Sequence, residues 1–312
     1  MNKDSVYYRQ VALLLKMLPI IANEKMFALK GGTAINLFVR DFPRLSVDID
    51  LSYLPLEPRE EAIANVRTAL QRIVEQANSL QGLQAHLQDN NGDELRIIVT
   101  TGVATIKIEL SPVARGTLHD PEVLPVVEDV ETEFGYAEIA VVSMPDLYGG
   151  KLCAAMDRQH PRDLFDVRML LATEEGITRE IFVGFLAYTL SHPRPISEVM
   201  DPRWKDLSDA FQQEFEGMTN APVTLEELLE VPEAMFAALK AQFIQRDRDF
   251  LLSFKRGEPD WTLFDVPTAE QLPAIRWKLQ NLQKLRDKNP EKHQKALLKL
   301  DKVLTEPVNP IV

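Results

Sequence analysis

Two aspartates separated by one residue, Asp48 and Asp50, constrain what this 312-residue chain can fold into more than any other feature. They lie in an alternating segment whose other residues, Val47, Ile49 and Leu51, are apolar, and this pattern predicts a strand with one buried face. Because successive side chains of a strand point to opposite faces, both carboxylates share the other face. Two adjacent carboxylates repel unless a cation lies between them, and their oxygen atoms suit Mg²⁺ or Mn²⁺. A solvated strand with two surface acids is the alternative.

A double glycine precedes this strand. Gly31 and Gly32 follow an apolar run that predicts a strand, and Thr33 precedes a short periodic segment that predicts a helix. Glycine lets backbone N–H groups approach an anion closely, and the first amides of a helix attract phosphate. These three residues are therefore a candidate phosphate cradle. An ordinary turn between a strand and a helix is the alternative.

A third acid lies in residues 104–110, another segment with strict alternation. Its isoleucines share one face, while Lys107 and Glu109 share the other. If this strand lies beside the strand with the two aspartates, Glu109 can join them as a third metal ligand. A pair of Lys107 and Glu109 on an exposed face is the alternative, and the strand order decides between the two.

Two consecutive helices carry the next candidate residues. Residues 143–146 predict a helix start, and Lys151 follows less than two turns later. A second helix is predicted to begin at Pro161. Its first turns carry Arg162, Asp163 and Asp166. The alternative is a surface lysine and an ordinary Arg162–Asp166 helix pair, worth about a few tenths of a kcal/mol.

These separate blocks occur in a defined order along the chain. They are Gly31-Gly32-Thr33-Ala34-x-x-Leu37, then Arg44-x-Ser46-x-Asp48-Ile49-Asp50-Leu51, then the strand with Glu109, and finally Lys151-Leu152-x-Ala154-x-x-x-Arg158-x-x-x-Arg162-Asp163-Leu164-x-Asp166. In this combination the first half of the chain resembles the AbiEii/AbiGii toxin family. Thr33 departs from the serine that is usual in the superfamily but keeps the hydroxyl group. The spacing from Thr33 to Asp48 is long for the superfamily and natural to this family.

The resemblance implies a nucleotidyltransferase of the DNA polymerase β-like superfold, known from abortive-infection and type IV toxin–antitoxin systems. The expected fold is α+β, a small mixed β-sheet with flanking helices followed by a helical C-terminal domain, and the order of the predicted strands and helices agrees with it. The implied substrates are an NTP and an acceptor hydroxyl, expected to be the 3′ end of tRNA. The implied cofactor is Mg²⁺ or Mn²⁺. A cognate antitoxin is expected to need no stable contact with the toxin.

The resemblance also assigns roles to single residues. The implied catalytic residues are Asp48, Asp50, Lys151 and Asp166, and the implied metal ligands are Asp48, Asp50 and Glu109. The nucleotide is expected to contact Gly31, Gly32, Thr33 and Lys151. Residues that could support these groups without touching the reacting atoms are Arg44, Ser46, Arg158, Arg162 and Asp163.

Length and composition predict two domains, residues 1–175 for nucleotidyl transfer and residues 176–312 for the helical part. The single cysteine, Cys153, excludes an internal disulfide and suits a reducing compartment. No apolar stretch is long enough to span a bilayer, and the N-terminus lacks the order of a signal peptide. We therefore expect a cytoplasmic protein that has no membrane partner.

The second half of the chain has a helical pattern with no chemical motif, including one long helix predicted over residues 225–254. Residues 276–302 hold nine Lys or Arg against three acids, a local balance of +6 in a chain with net charge −12. Such a basic helical end could follow an RNA backbone, and a solvated amphipathic helix pair is the alternative. The five histidines are scattered without metal-ligand spacing, so a zinc site is not expected.

Three other functions remain open from the sequence. A protein hydroxyl could be the acceptor instead of RNA. A glycosyltransferase also binds a metal and a nucleotide diphosphate through two aspartates in this spacing, but it depends on a nucleotide sugar and leaves the glycine segment unexplained. A non-catalytic nucleotide-binding module would bind NTP without turnover.

Overall fold

The computed structural model of the chain describes residue 3, residues 5–90 and residues 94–305. The chain packs as two compact units, the first formed by Met1–Ser143 with Gln212–Val223 and the second by Met144–Phe211 with Thr224–Val312. The functional domain boundary at residue 175 stays a prediction. Within the described ranges, no helix is both long and apolar enough to cross a lipid bilayer.

A single mixed sheet organises the described part of the first unit, as predicted for the α+β class. Its strands are β1 Phe27–Lys30, β2 Asp48–Tyr53, β3 Gln84–Asn90, β4 Glu94–Thr100, β5 Thr105–Arg115, β6 Glu122–Pro125 and β7 Glu138–Val141. The helices of this unit are α1 Val6–Ala22, α2 Gly31–Ala34, α3 Arg59–Ser79 and α4 Glu128–Phe134. The strand order is β3-β4-β5-β2-β1-β7-β6, which puts β2 at the centre.

The two faces of the central strands have opposite character. Ile49, Leu51, Ile106 and Ile108 are at most 1% exposed, and helices α1 and α3 pack on the sheet. Burial of these aliphatic side chains contributes roughly 1.5–3 kcal/mol each. Because side chains alternate along a strand, this packing fixes the acids of β2 and β5 on the opposite face.

Two local features differ from the expected strand, turn and helix around the double glycine. Helix α2 begins at Gly31 itself, and a π-helical turn, Ile35–Val39, continues it. Gly31 has a φ of +74°, a value that a residue with a side chain rarely adopts. The glycines therefore form the first turn of the helix rather than a separate turn before it.

Strand β6 was not predicted, because four mostly exposed residues carry no clear alternation.

The second unit is helical in its described part. Its helices are α5 Met144–Asp157, α6 Pro161–Leu171, α7 Arg179–Ser191, α8 Ile196–Met200, α9 Ser208–Glu214, α10 Leu225–Leu229, α11 Val231–Gln242, α12 Gln245–Arg256, α13 Pro273–Lys288 and α14 Pro290–Thr305. Helix α9 begins in this unit and ends in the first.

The single long helix predicted over residues 225–254 is wrong. The segment forms three helices, α10 to α12, of which the first starts at a capping box between Thr224 and Glu227. Pro232, at the start of α11, has no N–H to continue the hydrogen bonds of the preceding turn. Phe243 is extended and separates α11 from α12. Apolar residues at helical spacing continue past the first break, and the prediction gave too little weight to Pro232 there and to the five polar residues 245–249 after the second break.

Helices α5 and α7 pack at a contact made by two glycines. A methyl group added to Gly149 would lie 2.4 Å from the carbonyl carbon of Gly184, and one added to Gly184 would lie 2.2 Å from the carbonyl oxygen of Pro145. Both distances are far below van der Waals contact and involve main-chain atoms, which cannot rotate away. The two helices therefore approach more closely than any larger residue allows.

We expect Gly184→Ala to lower the free energy of unfolding by about 3 kcal/mol and Tm by roughly 6–12 °C, because the two helices must separate. Gly150→Ala is the matched control, since its added methyl group would lie 3.5 Å from the Tyr188 ring, an ordinary contact. Alanine also favours a helix interior over glycine, so the control should be neutral or more stable. Thermal unfolding of the two variants measures the difference, and equal Tm values would contradict the close contact.

Candidate active site

The acids of β2 and β5 lie side by side in the first unit. The parallel pairing of these strands puts Asp50 opposite Glu109 and Asp48 opposite Lys107. All four side chains therefore share the face opposite the apolar core. The strand of Glu109 therefore neighbours the strand of the two aspartates, as a role of Glu109 beside them requires.

A cavity of about 200 Å³ opens beside Asp50 and Glu109. It is lined by Lys30, Asp50, Leu51, Leu95, Arg96, Glu109 and Leu110. The three leucines belong to the buried apolar face, because each is the strand neighbour of one of the charged residues, so the character of the cavity comes from two acids and two cations. A few convergent charged groups around a cavity are typical of a small-molecule site.

Arg96 forms an ion pair with Glu109, with 2.7 Å between Arg96 Nε and Glu109 Oε1. Burial raises the pKa of the Glu109 carboxyl, and the negative charges of Asp50 and Asp48 raise it further, against the opposing effect of Arg96. Burial lowers the pKa of the Lys30 ammonium group, and Asp50 opposes this shift. Neither cation was predicted, because only the pairing of β4 with β5 and of β1 with β2 brings Arg96 and Lys30 to the acids.

Gly31 lies directly against the Asp50 carboxylate. A methyl group at Gly31 would lie 2.4 Å from Asp50 Oδ2, and the φ of +74° disfavours any side chain there. A methyl group at Gly32 would lie 2.7 Å from Arg44 Nη2. Gly31 therefore needs glycine for its φ and its contact with Asp50, whereas a side chain at Gly32 would have to displace the end of the Arg44 side chain.

The Thr33 hydroxyl is buried and bonded to the start of β2. It donates to the main-chain carbonyl oxygen of Asp48 at 2.5 Å and lies 3.0 Å from the Ser46 hydroxyl. Thr33 is 1% exposed. Its hydroxyl therefore joins helix α2 to the aspartate strand, and a contact between this residue and phosphate stays a prediction.

Arg44 is a buried cation next to the glycine turn. It is 2% exposed, and its Nη1 donates to the carbonyl oxygen of Leu45 at 2.8 Å. The segment around it is held by pairing of Arg44 with Thr219 within the same unit. The predicted supporting role of Arg44 and Ser46 is consistent with these positions behind Gly32 and Thr33 and remains a prediction.

The donor chemistry of this face fits a divalent cation such as Mg²⁺. Asp48, Asp50 and Glu109 offer carboxylate oxygens on adjacent strands. The negative charges of both aspartates act on Glu109, since they help to raise its pKa. Among the described residues, however, no three His, Cys, Asp or Glu side chains are already gathered around one point as metal ligands. The ion pair with Arg96 gives a physical reason, since it holds the Glu109 carboxylate.

A second charged cluster lies in the second unit, between α5 and α6. The Lys151 ammonium group lies 2.9 Å from Asp163 Oδ1 and 2.9 Å from Asp166 Oδ2. The side chains of these three residues are at most 4% exposed. Arg158 also donates to both oxygens of Asp163 from a largely exposed position. The surface lysine considered as an alternative is therefore wrong, because the Lys151 side chain is buried between two carboxylates.

The charge of Asp163 is strongly stabilised. Burial alone would raise its pKa, but attraction to Lys151 and the hydrogen bonds from Arg158 outweigh it and hold the pKa well below its usual range. The ionised carboxylate therefore contributes stability that is present above the ordinary aspartate pKa of about 4 and is lost as the pH falls below it.

We expect the difference in unfolding free energy between the wild type and Asp163→Asn to be constant from pH 8 to about pH 5 and to shrink as the pH falls below about 4. The difference isolates Asp163 because the other acids titrate in both proteins. Urea unfolding at each pH measures it. A difference that does not change down to pH 3 would contradict the assignment of this charge.

Tyr188 and Asp146 form a further buried pair that sequence reasoning missed. Tyr188 donates its hydroxyl hydrogen to Asp146 Oδ1 at 3.1 Å. Burial raises the pKa of Tyr188 well above its ordinary value, and the Asp146 charge raises it further. Asp146 belongs to the predicted helix start at residues 143–146, and in the structure it is 2% exposed and connects α5 to α7.

The basic C-terminal helices, α13 and α14, are less open than their composition indicates. Lys278 is buried and donates to the carbonyl oxygens of His192 and Arg194, and burial lowers its pKa to about 8. Arg286 pairs with Glu258, and Lys299 lies 3.5 Å from Glu198. Part of the local positive charge is therefore already balanced within the described second unit.

Comparison with known proteins agrees with the sequence motifs. The sequence model described as the nucleotidyl transferase AbiEii toxin of a type IV toxin–antitoxin system matches residues 12–281. Among solved structures, MenT4, a nucleotidyltransferase toxin from Mycobacterium tuberculosis H37Rv, matches with a TM-score of 0.58 and 15% sequence identity. The match covers 88% of this chain and 93% of MenT4, and at this identity it shows a shared fold. No curated protein sequence matches the chain.

Proposed function

The chain belongs to the AbiEii family of nucleotidyltransferase toxins from type IV toxin–antitoxin systems, and from that premise we propose that it transfers a nucleoside monophosphate from an NTP to the 3′ hydroxyl of tRNA. The observation that carries the proposal is the position of Asp50 and Glu109, side by side on the wall of one cavity with Gly31 against Asp50. Blocking the 3′ end of tRNA would prevent aminoacylation, which accounts for toxicity.

We propose that Asp48, Asp50 and Glu109 hold Mg²⁺ or Mn²⁺ and that the first turn of α2 receives the triphosphate. When bound, the cation supplies charge neutralisation for the triphosphate and lowers the pKa of the acceptor hydroxyl. Gly31 supports this proposal because the absence of a side chain lets the main chain of α2 lie directly against the Asp50 carboxylate. The amide groups at the start of α2 point their partial positive charge toward an anion at this end.

Lys151 and Asp166 complete the proposed set of catalytic residues. We propose that the Lys151 ammonium group contacts the nucleotide and that Asp166 orients the nucleotide or the acceptor. The ion pairs with Asp163 and Asp166 restrict the position of the ammonium group, which supports a positioning role for Asp163. Arg158 is proposed to hold Asp163 in turn, through two hydrogen bonds to its carboxylate. Arg162, in the first turn of the same helix α6, is proposed to support the same residues.

RNA binding is part of the same proposal. The candidate surface is formed by α13 and α14, where basic residues such as Lys284 and Lys288 are exposed. Lysine and arginine side chains on such a surface neutralise backbone phosphates, so binding should weaken as the salt concentration rises. We further propose action in the cytoplasm, where NTPs and tRNA are found, and an antitoxin that opposes the toxin without a stable complex.

The experiment incubates the protein with Mg²⁺, total RNA and each NTP in turn, labelled either at the α- or at the γ-phosphorus. Transfer of a nucleoside monophosphate predicts label in RNA from the α-labelled NTP and release of the γ-label as pyrophosphate. RNA whose 3′ hydroxyls have been destroyed by periodate should accept none. Label in protein instead would identify a protein hydroxyl as the acceptor. Binding of NTP with no transferred label would identify a non-catalytic nucleotide-binding module. Either result, label in protein or binding without transfer, would reject transfer to tRNA.

A further inference from the structure

Four charged residues form a row across four neighbouring strands of the first unit. The pairing registers put Lys30 of β1 opposite Asp50 of β2, Asp50 opposite Glu109 of β5, and Glu109 opposite Arg96 of β4. Neighbouring strands are about 4.8 Å apart, so each side chain is within reach of the next. The row therefore has the charges plus, minus, minus, plus along one wall of the cavity.

Arg96 neutralises one of the two acids in this row. Its Nε lies 2.7 Å from Glu109 Oε1, and the two side chains are 31% and 36% exposed. Water screens an ion pair that is this exposed. It therefore favours the paired over the separated side chains by no more than about fivefold. A ligand that offers either partner a stronger interaction can therefore separate them.

A divalent cation and a phosphate group together have the charges needed to separate Arg96 from Glu109. A divalent cation held by Asp50 and Glu109 would attract the Glu109 carboxylate more strongly than one guanidinium group does and would repel the guanidinium group. The released guanidinium group has a planar set of N–H donors that matches a phosphate group. The cavity volume of about 200 Å³ is roughly that of seven water molecules in the liquid, which leaves room for a phosphate group.

We propose that Arg96 is a positioning residue that exchanges partners, holding Glu109 in the absence of a divalent cation and binding a phosphate group of the NTP once Glu109 turns to the cation. This inference rests on the proposed function. It makes the two binding events mutually dependent, because the cation frees Arg96 for the nucleotide and the nucleotide keeps Arg96 away from Glu109. Thermodynamic linkage requires the two affinities to rise by the same factor.

Calorimetric titration tests the exchange without measuring activity. Mn²⁺ is titrated alone, and an NTP analogue with a methylene bridge between the α- and β-phosphorus is titrated with and without Mn²⁺. In the wild type we expect Mn²⁺ to strengthen analogue binding about tenfold. In Arg96→Met we expect Mn²⁺ alone to bind about fivefold more tightly, because Glu109 is no longer held. The factor by which Mn²⁺ raises the affinity for the analogue should fall to about twofold.

Four further variants provide the controls: Arg9→Met, Arg96→Lys, Glu109→Gln and Glu109→Gln combined with Arg96→Met. Arg9→Met, an exposed position on α1, is the control for loss of a positive charge and should behave as the wild type. Arg96→Lys keeps the charge but not the planar set of N–H donors. It should therefore keep wild-type Mn²⁺ affinity and lose most of the increase in analogue affinity that Mn²⁺ causes. In a Glu109→Gln background the Arg96→Met change should no longer tighten Mn²⁺ binding, which a double-mutant cycle measures.

The outcomes separate this inference from the proposed function. If the wild type binds Mn²⁺ and analogue but Arg96→Met and Arg96→Lys do the same with unchanged affinities, the exchange is wrong and the proposed function stands. Weaker Mn²⁺ binding by Arg96→Met would also overturn the exchange, because Arg96 would then be helping Glu109 to reach the cation. A wild type that binds neither ligand overturns both.

Discussion

An Asp50→Asn variant is expected to transfer nucleotide at least about 10³-fold more slowly than the wild type while remaining folded. The proposed reaction depends on a divalent cation held by Asp50, and loss of several kcal/mol of charge stabilisation corresponds to about this factor. Asparagine has nearly the same shape, and the Asp50 side chain is only partly buried, so the sheet should tolerate it. The initial rate of label transfer from the α-labelled NTP to RNA measures the effect.

The control for this prediction is Asp129→Asn, which removes an exposed acid from α4 in the same unit. It should leave the rate within about twofold of the wild type, since isolated surface charges have small effects. Thermal unfolding of Asp50→Asn should stay close to that of the wild type. A folded Asp50→Asn variant that transfers label at the wild-type rate would remove the carboxylate face from the proposed chemistry.

A Lys151→Met variant is expected to lose about 3–5 kcal/mol of unfolding free energy. Removing one partner from a buried ion pair leaves carboxylates in a region that water does not reach. Here the ammonium group lies between Asp163 and Asp166, which are 1% and 0% exposed. The methionine side chain replaces that of lysine up to Cε and lacks only the ammonium group, so most of the loss reports the missing charge rather than a cavity. Urea unfolding at pH 7 measures it.

Lys284→Met, at an exposed position on α13, is the matched control and should change the unfolding free energy by less than about 0.5 kcal/mol. The double variant Lys151→Met with Asp163→Asn should recover part of the loss, because it removes one of the two carboxylates left near the missing charge. Equal stability of Lys151→Met and the wild type would show that this cluster is not an electrostatic support. The large expected loss also means that Lys151→Arg, which keeps the charge, is the better variant for measuring a role in catalysis.

Much of the architecture could be predicted because it depends on short-range periodicity. Alternation around Asp48 and Asp50 and around Glu109 predicted two strands with one apolar face, and the structure has both as β2 and β5. Breaks in periodicity at Pro161 predicted the start of α6. The same reasoning failed over residues 225–254, where apolar spacing continues past the start of α11 although Pro232 and the polar residues 245–249 interrupt the pattern. Periodicity reports which side chains are buried and is insensitive to a break that keeps the same face inward.

The sequence alone determined which residue types are available to the candidate site, since spacing puts Asp48 and Asp50 on one face of any strand they form. Only the tertiary structure decided their neighbours. The order of β1, β2, β5 and β4 brings Lys30 and Arg96 to the acids from positions 20 and 46 residues away from Asp50. The packing of α5 against α6 puts Lys151 between Asp163 and Asp166. The physical reason is that strand alternation is a property of the local backbone, whereas strand order and helix contacts are set by burial of apolar surface over the whole unit.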